Sequence, residues 1–544
     1  MDASTRFETR VVGALPIIVH YFDLLQVAAT IDELVPWEGE VPLGTLVEIL
    51  IANRLLQPKA MFRIGDWAEK AGLTDYYGVT AAQLNDDRLG RALERVATHA
   101  QTIQAALVLT MIKNFKLNVK QIHFDISNVE LYGAYEAAAS AEVPPKPLPT
   151  YGRTKSGRKN VKQIQFGINV TRDGAVPIGH MPLDGNTAES TTHLENLKQL
   201  EKLLPKGVLL YIADTKLDTA ENLLGIAARK GEFLCGGAFL PHLQQQYLKC
   251  RQQMKPVDYS PKSQAHLPPE ERDAYQACEV KDVLRGEVDG RGIRLKYRVI
   301  FVHSEAKAEQ QAQTRERHMA KIRTEFETVE RNLNKYSLKT QEAVVRRLET
   351  AKGKYKAEGA LFDYTVSKRR GRLCLQWSIN QKRLREAKQL EGVFVLKTNR
   401  SKKEHPIANV LTTYKEQTHV ERRIGNLKGP LAVAPMFLEK PARMAGLLCI
   451  LIWALMVMAL IERAVRRNLK GKPLYGLYPE NRPCTAPTGT ALLECFSTVS
   501  IVIIKHRGTT SRRLAQFTPI QQKIIQLLAI PPTAMQTFKR RCGT

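Results

Sequence analysis

Apolar positions recur at steps of three and four in VPLGTLVEILIANRLL (41–56) and LGRALERVATHAQTIQAALVLTMI (89–112), so residues 1–105 read as a helical N-terminal domain. From Leu117 the period shortens to two. In QIHFDIS (121–127), Ile122, Phe124 and Ile126 face one way and His123 and Asp125 the other, which predicts a strand with Asp125 on its polar side. KQIQFGINV (162–170) and AVPIGHMPL (175–183) are two further strands, joined by a turn at Arg172-Asp173-Gly174. The helical pattern TTHLENLKQLEKLLP (191–205) follows, and then VLLYIAD (208–214), an apolar run that reads as a strand buried on both faces and ends at Asp214. Asp218 and Glu221 have the spacing of a capping box for the helix AENLLGIAARKG (220–231), and EFLCGGA (232–238) closes the series as a strand.

Three strands, a helix and a fourth strand, with Asp125 on the first strand and Asp214 at the end of the fourth, form an RNase H-like plan: an α/β fold with a mixed sheet flanked by helices. Residues 106–240 are then the first part of this core, and 241–400 interrupt it. The interruption holds isolated strands such as LKYRVIFVH (295–303), a long charged helical segment at about 305–358, and the strands LCLQWSI (373–379) and GVFVLKTN (392–399). Residues 401–475 resume the core, and 476–544 read as a C-terminal helical extension. AGLLCILIWALMVMALI (445–461) carries no charge. It falls short of the roughly 20 residues of a bilayer-crossing helix and reads as a core helix, with no membrane partner expected.

In YKEQTHVERRIGNLKG (414–429), Tyr414, Gln417, Glu421 and Lys428 follow helical spacing and share one face of a predicted single helix, beside an apolar stripe of Val420, Ile424 and Leu427. The simpler reading of this helix is a polar face meeting water, with Glu421 paired to Arg422 or Arg423. Asp125, Asp214 and Glu421, drawn from two strands and a helix, have the hard oxygen donors that hold Mg²⁺ for phosphoryl transfer. Tyr414, Gln417 and Lys428 would supply hydroxyl, amide and ammonium donors to a phosphate backbone.

Charge supports a polyanionic partner. The 544 residues carry a formal charge of +27 at 44% hydrophobic content, which is a folded composition with an excess that attracts nucleic acid. Basic clusters such as KRRGR (368–372), RAVRRNLKGK (463–472) and KRRC (539–542) crowd the second half. The eight cysteines show no metal spacing and read as reduced thiols, and MDASTRFETR lacks the apolar core of a secretory signal, so a cytoplasmic, nucleoid-associated location is expected.

YKEQTHVERRIGNLK resembles the YREK signature, Tyr-x2-Arg-x3-Glu-x6-Lys, of the DDE transposases of bacterial insertion sequences, departing from it at Gln417 where that family has arginine. HFDISNVELYG around Asp125, GRTKSGRKNVKQIQFGINVTRDGAVPIGHMPLDGN and YIADTKLDTAENL around Asp214 resemble the family's blocks in the family's order, and LNDDRLGRALERV resembles its leading domain. The resemblance implies an enzyme that binds the terminal inverted repeats of its element as a homodimer, cleaves the ends and joins the 3′-hydroxyl to double-stranded target DNA. Asp125, Asp214 and Glu421 would hold two Mg²⁺ ions, with Mn²⁺ as a substitute. It also places Trp377 in a region that some relatives use to stack a flipped base, against which core packing is the plainer expectation. Two alternatives stay open: an RNase H-like nuclease without strand transfer, and a decayed or domesticated DNA-binding protein.

Overall fold

The computed structural model describes residues 5–133, 135, 146–158, 160–207, 209–506, 509–532 and 534. The basic cluster at 539–542 lies outside the described residues. Two compact units form, Met1–Glu232 with Glu416–Thr544, and Phe233–Lys415.

The first unit contains a sheet of β1 (Gln121–Leu131), β2 (Lys162–Thr171), β3 (Pro177–Asp184) and β4 (Leu210–Ala213). β2 pairs antiparallel with both β1 and β3, and β4 joins the other side of β1 in parallel, giving the order β3-β2-β1-β4. A short meander followed by a crossover helix, His193–Leu203, produces this arrangement. It is the strand order of the RNase H-like plan, with Asp125 on β1 and Asp214 one residue beyond β4.

Alternation in β1 does not leave its polar side open. His123 is fully buried, covered by the helix Thr418–Lys428. That helix is separate from Ile407–Lys415, with a break at Glu416-Gln417, so the predicted single helix is two. Glu421 lies on the second helix and Tyr414 on the first. The stripe Val420, Ile424 and Leu427 is buried as its spacing requires.

The apolar run belongs to the long helix Pro441–Leu469, buried at every position from Met444 to Arg463. It is long and apolar enough to cross a membrane, and its apolar window is wholly buried inside the protein. It packs against the helices Asp86–Thr98 and Leu43–Leu56 and against β3. The crossing with Asp86–Thr98 is so close that a Cβ on Gly446 would stand 2.1 Å from the Leu93 carbonyl oxygen, which explains glycine inside a helix. Trp453 satisfies its buried indole N–H on Gln104 Oε1 at 2.8 Å, and the Gln104 amide donates to the Ile178 carbonyl at 3.1 Å. Two further elements depart from expectation. Thr219, rather than Asp218, caps the helix Ala220–Ala228 by accepting the Asn222 N–H. The tail is not only helical, since Ser500–His506 pairs antiparallel with Thr509–Leu514 and with Thr5–Val11.

In the second unit, β5 (Glu232–Gly237), β6 (Tyr275–Val288), β7 (Arg291–Ser304) and β10 (Val393–Thr398) form an antiparallel sheet in the order β5-β10-β7-β6. A helical pair, Glu305–Arg331 and Gln341–Lys354, packs on a two-stranded ribbon of β8 (Phe362–Arg369) and β9 (Arg372–Ile379). The two helices and the ribbon share a core of Met319, Ile322, Phe326, Val329, Val344, Leu348, Phe362, Leu373 and Leu375.

Candidate active site

The parallel pairing of β1 with β4 sets Ile122 beside Tyr211 and His123 beside Ile212. Continued by two residues, the same register would bring Asp125 level with Asp214, and the charge of Asp214 does act on Asp125. Each is half-buried. Asp125 Oδ1 accepts the Ile126 N–H at 2.8 Å, and Asp214 Oδ1 caps the turn Thr215–Leu217 by accepting the Lys216 N–H at 2.9 Å. Burial raises the Asp125 carboxyl to about 6. The charges of Asp214 and Glu189 push in the same direction, against Lys155 and the Ile126 N–H.

Two members of this group have no signature in the sequence. Glu189 opens the short turn Glu189–Thr191 after β3, and nothing but its place after the DGNT turn marks it. Lys155, in the basic connector, donates from Nζ to the Ile126 carbonyl at 2.7 Å and so stands beside Asp125. Lys428 joins the same neighbourhood. Its ammonium is shifted below the usual lysine range by partial desolvation and by Lys155, and Glu130 and Asp125 oppose that shift.

Glu421 is exposed, one turn beyond Gln417 and on the face that also carries Lys428. Arg422 and Arg423 do not pair with it. Both reach Glu462 on the long helix, Arg422 at 3.0 Å and Arg423 at 3.1 Å, and Arg423 also donates to the carbonyls of Gly174 and Ala175. These bonds lock the helix of Glu421 against the sheet and leave the Glu421 carboxylate to solvent. Among the described residues, no three carboxylate, imidazole or thiol groups converge as a metal site. Asp125 and Asp214 are the carboxylates here that could hold a cation: two hard oxygen donors from β1 and the end of β4, with a repulsion that positive charge would relieve.

Gln417 is buried, with its Oε1 3.0 Å from His123 Nδ1 and its amide donating to the Phe124 carbonyl at 2.8 Å. Its hydrogen-bonding groups hold the helix to β1 and are not presented to a phosphate. Burial lowers the His123 pKa to about 4, so the ring is neutral and needs an uncharged partner such as this amide. Tyr414 belongs to the second unit, where it lines a cavity of about 410 Å³ with Asp273, Tyr275, Lys307, Phe394 and Lys415. The Lys415 ammonium lies over the Tyr275 and Phe394 rings at 5.3 and 5.1 Å. Trp377 is half-buried at the margin of the second unit's core, packs edge-on against Phe326 and donates to Glu330 at 3.0 Å.

Residues 7–109 match a family model described as a domain of unknown function, DUF4277. No curated protein sequence matches the chain. Among solved structures, a piggyBac transposase synaptic complex with hairpin DNA is similar at a TM-score of 0.35 and 10% identity, over 83% of this chain and 75% of that one.

Proposed function

We propose that this protein is a DNA transposase whose active site is built from Asp125, Asp214 and Glu421. The observation that supports the reading is the RNase H-like strand order, with Asp125 on β1 and Asp214 one residue beyond its parallel neighbour β4. Carboxylates of this kind would hold Mg²⁺, which would supply a lowered pKa for an attacking water and positive charge to offset the phosphodiester. The protein's own groups do the rest. Asp125 and Asp214 supply oxygen donors from strands that cannot shift independently, and Glu421 supplies a third from a helix pinned by the Arg423–Glu462 pair. Lys428 and Lys155 place positive charge where a DNA backbone would pass. The substrates are the terminal inverted repeats and a target duplex, engaged by a homodimer in the cytoplasm.

A second reading, a DNA-binding protein without catalysis, is favoured by two observations: Gln417 is committed to His123 and Phe124, and Glu421 does not join the two aspartates. One experiment separates them. A labelled duplex carrying the inverted repeat that flanks the gene is incubated with purified protein and Mg²⁺ or Mn²⁺. Cleavage at the repeat boundary leaving a 3′-hydroxyl is expected, abolished by Asp125→Ala, Asp214→Ala or Glu421→Ala in folded protein. Specific binding with no cleavage in either ion would establish the second reading.

A further inference from the structure

Charge is handled differently at the two ends of the helix-and-ribbon part of the second unit. Along its helices acidic residues are interspersed with basic ones, and some pair, Arg347 with Glu325 at 2.8 Å and Lys352 with Glu349 at 3.7 Å. At the ribbon tip there are no such pairs. Lys335, Lys339, Lys368, Arg369, Arg370 and Arg372 are exposed, and among the described residues none of them forms an ion pair. No Asp or Glu occurs in residues 331–341 or 364–385. Six like charges without a counter-charge repel one another, so the tip is costly as a mere solvated surface and is matched to a polyanion.

The tip is also rigid. Arg370 and Gly371 both have positive φ, +48° and +79°, which makes a two-residue turn whose twist suits the ribbon. The loop between the helices is fastened to it, since Asn334 Oδ1 accepts the Leu373 N–H at 2.8 Å and Asn334 Nδ2 donates to the Leu373 carbonyl at 3.0 Å. Gln341, just past the loop, donates to the Val366 carbonyl at 3.5 Å. The same loop holds out Tyr336, which is 80% exposed. A ring so exposed gains nothing from the core and is available to pack on a sugar or a base.

We infer that this loop-and-ribbon tip is a DNA-binding site, in which a two-stranded ribbon enters a duplex groove with Arg369, Arg370 and Arg372 on flanking phosphates and Tyr336 against the backbone edge. A two-stranded ribbon fits a major groove about 12 Å wide. The inference rests on the DNA-processing reading above for its partner, and extends it to a surface outside the three acids.

The test uses the full chain and a fluorescently labelled duplex, with anisotropy measured across a salt series. The triple variant Arg369→Ala/Arg370→Ala/Arg372→Ala leaves the core intact and should bind tenfold or more weakly, with the slope of log affinity against log salt smaller by about 3. Tyr336→Ala should weaken binding without changing that slope. The triple lysine variant of the same arginines keeps the charges and should retain the wild-type slope, which guards against a folding defect. Wild-type affinity and slope in the alanine variant would overturn the inference and leave the transposase reading intact. Wild-type protein that binds this tip's partner, fails to cleave, and loses affinity in the variant would uphold the site while the transposase reading fell. Binding to phosphatidylserine vesicles and to no duplex would overturn both.

Discussion

The long-helix cluster of the first unit and the ribbon tip of the second handle positive charge in opposite ways. In the first, cations are buried as internal connectors: Arg423 is fully buried against Glu462, which also receives Arg422 and Arg466, and Arg463 pairs with Asp173 at 2.6 Å beside the turn that joins β2 and β3. At the ribbon tip the basic groups stay outside the aliphatic and aromatic core, although elsewhere in the second unit Arg298 and Arg315 are buried against Glu279 and Glu391. The difference teaches what a substitution should report. Removing a charge from the buried cluster leaves a partner stranded away from water and reads out as stability. Removing one from the ribbon tip reads out as binding.

The strongest way to break this contrast is Glu462→Gln. Arg423, Arg422 and Arg466 would lose their shared carboxylate, and breaking a buried pair from one side costs about 3–5 kcal/mol. Urea unfolding measures it, and a loss below about 1 kcal/mol would mean the cluster is hydrated in solution. The pH dependence has a definite sign. Burial alone would raise the Glu462 pKa, but Arg423, Arg466, Arg422 and the Gly489 N–H outweigh it and hold it below the ordinary glutamate range. A depressed carboxyl contributes stability that is present above its unfolded pKa and lost as pH falls through the folded one. Wild type should therefore weaken on acidification, and Glu462→Gln should lose this part of the acid sensitivity.

Phe326→Ala tests the other half. Phe326 is fully buried among Phe362, Tyr364 and Trp377, and its truncation should cost about 3–4 kcal/mol. The comparison is sharpened by where the damage shows: limited proteolysis should open within residues 305–379 while the first unit stays resistant. If the tip binds DNA because it is rigidly mounted, duplex affinity should fall although no basic residue has changed.

Much of the first unit was legible because its signals are local. Alternation placed Asp125 on β1, the apolar run placed Asp214 beyond β4, and helical spacing predicted the buried stripe Val420, Ile424 and Leu427. What escaped was what distant residues decide. The pairing of Thr5–Val11 with Ser500–His506 joins the two ends of the chain, and no local pattern encodes it. Glu189 and Lys155 reach Asp125 only through tertiary folding. The break at Glu416-Gln417 was hidden because spacing of three, four and seven fits a continuous helix equally well, while Arg172 bonds Glu416 and β1 bonds Gln417 at that point.

Gln417 carries the smallest predicted effect, and it bears on how the site differs from the resembled signature. If Oε1 accepts from His123 Nδ1–H, the amide donates to the Phe124 carbonyl and both of its polar ends are satisfied. His123 Nε2 has no partner, which an unprotonated ring nitrogen tolerates better than an N–H would. Arginine at 417 has donors only. It could serve the Phe124 carbonyl, but it would force the His123 proton onto the buried Nε2 or leave two donors facing each other. Gln417→Arg should therefore destabilise the protein by about 1–3 kcal/mol, measured by urea unfolding, with His123→Leu in the same chain recovering part of the loss. Unchanged stability together with tighter duplex binding would show instead that position 417 opens to phosphate when DNA is bound, and that its amide is only borrowed by His123 in the free protein.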